Sequence, residues 1–140
     1  MQTSPITVCT WICYNSGDYA SAERVYRNVL YRAHESADTL LEARCLSAYA
    51  ALSVETAEPD PVLAIEMLSR AATELKCPLS SSDLGILAYA YSLIGRNEEA
   101  EKMALASSRA ASDASEKAKA DFRIYQVRSR AGLDSEALKS

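Results

Sequence analysis

Gly17-Asp18-Tyr19-Ala20-Ser21-Ala22-Glu23 is echoed by Gly95-Arg96-Asn97-Glu98-Glu99-Ala100-Glu101 and again by Gly132-Leu133-Asp134-Ser135-Glu136-Ala137-Leu138. Each copy sets a Gly five residues ahead of an Ala, behind an apolar pattern with a helical period. A glycine ends a helix cheaply because it enters the left-handed region without a Cβ clash. The alanine that follows leaves room for a second helix to lie close. A chain that repeats one such unit is expected to stack helical hairpins.

Working outward from these copies, the polar and proline punctuation predicts where each helix starts. Ser4-Pro5 reads as cap and first turn of a short helix over Pro5 to Asn15, and Gly17 as its stop. Asp18 caps a second helix, on which Ala22, Val25, Tyr26, Val29 and Leu30 form one apolar stripe. Asp38 caps a third, running to about Thr56. Glu58-Pro59-Asp60-Pro61 interrupts it and opens a fourth, which Cys77-Pro78 ends. Ser80-Ser81-Ser82-Asp83 opens a fifth that Gly95 closes, and a sixth starts near Glu98. A seventh is expected from about Ser112 to Ala131, with Gly132 as its stop and Asp134 to Ser140 beginning an eighth.

The chain has 140 residues, is 49% hydrophobic and holds only 4 Gly and 4 Pro, which suits one all-helical domain with a continuous core. Its net charge of −4 argues against a general nucleic-acid binder. No run approaches a membrane span, and Met1-Gln2-Thr3-Ser4 lacks the basic start of a signal peptide, so a cytoplasmic address is expected. Cys9, Cys13, Cys45 and Cys77 form no CxxC pair. With His34 they offer a metal set on paper, but their spacing suits helix-interface packing better, and no metal or other cofactor is expected. His34 stands near a helix C-terminus, where an imidazole complements the dipole. Glu98, Glu99 and Glu101 start a helix, where negative charge is favoured for the same reason. No nucleotide-binding or zinc-protease motif occurs, and an enzyme is not expected.

These segments resemble tetratricopeptide (TPR) repeats. In that family a Gly ends the first helix of each hairpin and a small residue lets the second pack against it. The resemblance implies a right-handed stack of antiparallel hairpins, at approximately 4–34, 38–77, 81–110 and 112–140, the last truncated, with about seven helices. The markers Ala22, Ala64, Ala100 and Ala137 are separated by 42, 36 and 37 residues, longer than the usual 34. The chain also lacks the proline that ends each TPR repeat.

TPR arrays line a concave groove with the first helix of each hairpin. Counting back from each Ala marker, the resemblance assigns to that groove Thr7, Trp11, Tyr14 and Asn15; Leu46, Tyr49 and Ser53; Ser82, Tyr89 and Ser92; and Lys119, Phe122, Gln126 and Arg130. Trp11, Tyr14, Tyr49, Tyr89 and Phe122 would form an aromatic strip, with Lys119 and Arg130 at one end. The same count buries Tyr26, Tyr91 and Tyr125 between helices. A one-residue change of register would exchange part of the strip with the core, and aromatic residues at helical spacing serve either purpose. Thr7 and Trp11 stand where carboxylate-gripping TPRs carry Lys and Asn, which disfavours that mode of capture.

The function this resemblance implies is a protein-interaction module, an adaptor or chaperone holding a partner peptide. In length it is similar to the small TPR chaperones of bacterial type III secretion. A sensory helical-repeat domain of a larger regulator, or a structural oligomerisation unit, would use the same architecture. Residues 109–140 carry 7 basic and 5 acidic side chains, against 4 and 7 in residues 1–58. The segment Pro5 to Asn15 has no charge and several apolar residues, so a homodimer through this N-terminal helix is expected.

Overall fold

In a computed structural model, residues 17–139 are described, with side chains through residue 132. They form six helices and no strand: α1 (Tyr19–Glu35), α2 (Thr39–Val54), α3 (Pro61–Thr73), α4 (Ser81–Leu93), α5 (Asn97–Ala110) and α6 (Ala114–Lys139). None is long and apolar enough to cross a membrane. The helix expected over Pro5 to Asn15, and the dimer contact assigned to it, lie outside the described residues.

The helices start where short polar side chains satisfy their free amides. Asp18 accepts from Ser21 N at 3.1 Å, Asp38 from Leu41 N at 3.2 Å and Asp60 from Leu63 N at 3.2 Å, with Pro61 in the first turn. Ser80 and Asp83 form a reciprocal capping box at the start of α4. Each cap of this kind contributes about 1 kcal/mol. Gly95, at φ +80°, turns the chain from α4 into α5 as the sequence predicts. Ala37 takes the same left-handed conformation after α1, at φ 57°, where a glycine would be cheaper.

Gly132 behaves otherwise. It is not in the left-handed region, and α6 continues through it to Lys139, so the expected stop and eighth helix are replaced by one long helix. Among the described residues no atom beyond its own helix backbone lies within 4 Å of where its Cβ would be, so no packed neighbour forces a turn. A glycine inside a helix costs only about 1 kcal/mol relative to alanine, too little to break it unaided.

Short connections fold each helix back against the next. In addition α2 touches α4, and α4 touches α6, so these three adjoin one another in order, while α1, α3 and α5 each pack against one or two of them. Leu46, Tyr49, Ala50, Leu68, Ile86 and Leu87 form the main core, and Ala88, Ala100, Ala104 and Val127 a second cluster beneath α6. The markers Ala22, Ala64 and Ala100 are each 0% exposed, as close helix crossings require. Ala100→Leu should therefore cost about 1–3 kcal/mol by overpacking. Ala114→Leu, at an exposed position, should leave the melting temperature nearly unchanged. Equal tolerance at both positions in a thermal melt would overturn this packing.

Candidate functional site

The face made by α2, α4 and α6 carries two open clefts. One, of about 650 Å³, lies between α4 and α6 and reaches Ala51 and Glu55 on α2. The other, of about 570 Å³, lies between α2 and α4 and is lined by Arg44, Ser47 and Ala48. Both include Ala51, Ser82 and Ile86, so they meet over α4 as one groove. Its floor is small and apolar, which lets another chain approach closely.

Arg123 organises the α6 wall. Its guanidinium lies over the Tyr89 ring, 5.0 Å from the centroid, and Nη1 donates to Gln126 Oε1 at 2.9 Å. Nη2 faces Glu55 Oε1 at 3.8 Å, and the side chain is only 20% exposed. Burial pulls its pKa down from the usual arginine range, against the opposing pull of Glu55, and it remains charged. Gly85 makes room for the arginine stem, since a Cβ there would sit 3.4 Å from Arg123 Cγ. Farther along α6, Arg130 donates to Ser92 Oγ at 3.0 Å.

Of the residues assigned to a groove from sequence, Ser82, Lys119 and Phe122 line the larger cleft. Tyr89, Gln126 and Arg130 adjoin it through the contacts above, while Trp11, Tyr14 and Asn15 lie outside the described residues. Tyr49 is a correction. It is 3% exposed, its ring stacks on Tyr26 with centroids 5.7 Å apart, and its hydroxyl accepts from Arg27 Nε at 3.1 Å. Leu46 and Ser53 are likewise buried, and Ser92 is buried although Arg130 reaches it. Tyr125, expected in the core, is 69% exposed, and Phe122 is 60% exposed beside it.

The error in α2 has a local cause. Counting back from Ala64 crosses a six-residue connection, Glu55 to Asp60, whereas the corresponding one before Ala100 has three residues, Ile94 to Arg96. Matching Ala50 with Ala88, one of two alanines of α4 with no exposure and the one whose match agrees with the groove lining, separates equivalent positions by 38 residues instead of 36. That shift turns Tyr49 inward and presents Arg44, Ser47, Ala48 and Ala51 to the groove. Arg44, Ala51, Ile86 and Arg123 line or wall the groove without a sequence assignment to it; the unequal connections are the signal available for the α2 residues.

Two titratable features lie away from this face. Burial pushes the Cys45 thiol up to about 11, and Sγ donates to Tyr26 O at 3.3 Å, so it behaves as a protonated core group. Glu42, 3% exposed, is bound by Arg70 Nη2 at 2.5 Å, and His34 Nδ1 lies 3.4 Å from the same oxygen. This cluster ties α1, α2 and α3 together.

The described residues thus define an all-helical chain with an open groove across three stacked helices. No family model, curated protein or solved structure matches the chain.

Proposed function

We propose that the chain is a protein-interaction module rather than an enzyme: a TPR-like adaptor or chaperone whose α2–α4–α6 face holds a partner peptide. The observation that carries this reading is the continuity of the two clefts at Ala51, Ser82 and Ile86, which gives one trough long enough for a chain segment. A small apolar floor flanked by polar side chains suits peptide capture, where backbone approach supplies affinity and neighbouring pockets supply selectivity. The contact of α2 with α4 and of α4 with α6, with α3 and α5 each packed on the two helices that flank it in sequence, supports a right-handed TPR-like stack with this face concave. The small residues at its hairpin crossings support the same arrangement.

Selection of a random peptide library on the immobilised chain tests the proposal. Selected peptides should bind the purified protein and lose at least about tenfold in affinity, or about 1.4 kcal/mol, on Ser82→Trp. Ser82 is exposed where the clefts meet, so a tryptophan there blocks the trough without entering the core. Unchanged helicity by circular dichroism would show that the fold survives. No enriched peptides, or peptides held equally well by Ser82→Trp, would overturn the reading.

A further inference from the structure

We infer that the segment this groove takes is acidic, with carboxylates spaced around one or more apolar side chains. The inference rests on the peptide-groove reading and adds to it the chemistry of the partner. The groove walls hold charges of both signs, but the acids are engaged within the chain and two cations are not. Glu116 accepts from Ser112 N at 2.8 Å and Ser112 Oγ at 3.1 Å. Asp83 accepts from Ser80 N at 3.0 Å in the capping box. Glu55 faces the Arg123 guanidinium.

Arg44 on α2 and Lys119 on α6 are both exposed and have no hydrogen-bond or ion-pair partner among the described residues. Between them lie Ala48, Ala51 and Ile86. Free cations therefore flank an apolar floor, in a chain whose net charge is −4. A bound carboxylate at either cation would gain a charge-assisted hydrogen bond without displacing an internal partner. A bound lysine or arginine would meet only carboxylates already engaged, beside an unpaired like charge.

The same charges narrow the occupant. Residues 1–16 carry no carboxylate, so the chain's own first segment does not complement Arg44 and Lys119. A nucleic-acid strand presents closely spaced phosphates, and Glu55, Asp83 and Glu116 on the same walls would repel it. An acidic peptide spaces its charges and supplies the apolar side chains that the floor needs.

The test uses the whole chain and two labelled synthetic peptides, one repeating Ser-Leu-Glu and the other Ser-Leu-Lys, in fluorescence polarisation. The Glu peptide should bind at least about tenfold more tightly than the Lys peptide, and should weaken as salt rises from about 0.05 to 0.5 M. Arg44→Glu with Lys119→Glu should abolish or reverse the preference, and Arg44→Ala with Lys119→Ala should reduce it, each with helicity retained. Peptides selected from the library through the Ser82-dependent site should be enriched in Asp and Glu. A groove-dependent pool that is uncharged or rich in Lys and Arg would overturn this inference and leave the peptide-binding reading standing. Absence of any groove-dependent peptide would overturn both. A dimer mass in light scattering that Ser82→Trp converts to monomer would identify a second copy as the occupant and overturn the acidic-peptide assignment.

Discussion

Tyr49→Ala is expected to lower the unfolding free energy by about 3–5 kcal/mol, the usual cost of deleting a buried aromatic side chain. The ring is 3% exposed and stacked on Tyr26 with planes 15° apart, so its removal opens a cavity where α1 meets α2. Domains of this size are held by roughly 5–15 kcal/mol in total, so the variant should lose a large share of its stability. Tyr49→Phe keeps the ring and gives up the hydroxyl's contacts with Arg27 and Glu23, both of which can turn to water; about 1 kcal/mol is expected. Phe122→Ala, on the exposed face of α6, should stay within about 0.5 kcal/mol of wild type. Urea denaturation followed by circular dichroism separates the three, because the midpoint should fall steeply only for Tyr49→Ala. A Tyr49→Ala midpoint equal to that of Phe122→Ala would return Tyr49 to the surface.

The residues of Tyr49's own helix explain why the sequence left its position open. Leu41, Ala43, Cys45, Leu46, Ala48, Tyr49, Ala50, Ala51, Leu52 and Val54 surround α2 with apolar or small side chains. A helix packed on α1, α3 and α4 has little polar face left to reveal its rotation. The only sequence marker of its rotation is then Ala64, which lies across a connection twice as long as its counterpart before Ala100 and places the α2 positions two residues out of register. The helix starts were legible because they are local. Asp18, Asp38, Asp60 and Ser80 cap amides three residues away, and those contacts depend on nothing else in the fold.

The end of α6 and the role of Arg123 were less legible for a related reason. Gly132 matches the spacing of Gly17 and Gly95, but a helix stop also requires the chain to leave the αR region, and a glycine alone does not enforce that. Arg123 reads in the sequence as one more solvated charge. Its burial arises only because Gly85 and Tyr89, on α4, receive its stem and its guanidinium. Lys119 and Phe122 were legible as surface because one side of α6 faces solvent, although Tyr125, on that side too, was assigned to the core.

Arg70→Met should cost about 3 kcal/mol or more, because it strands a buried carboxylate. Glu42's side chain is 4% exposed and one oxygen accepts from Arg70 Nη2 at 2.5 Å. The remaining neighbour, His34 Nδ1, is 3.4 Å away on a side chain 67% exposed, too distant and too solvated to replace the arginine. Arg70 also meets Glu74 at 3.4 Å, but that carboxylate is 70% exposed and the pair contributes little. The cost thus lies almost wholly in Glu42, whose desolvation is no longer offset. Because Arg70 itself is 37% exposed, water reaches part of the site and keeps the loss toward the lower end of the 3–5 kcal/mol range for broken buried pairs. Glu42→Leu together with Arg70→Met removes both charges and should recover most of the loss, since an apolar pair of similar volume is often neutral at such a site. A double-mutant cycle in urea measures this directly. Arg70→Met within about 1 kcal/mol of wild type would show that Glu42 is adequately solvated without its partner. A double variant no better than Arg70→Met would show that the loss comes from packing of the arginine stem against α2.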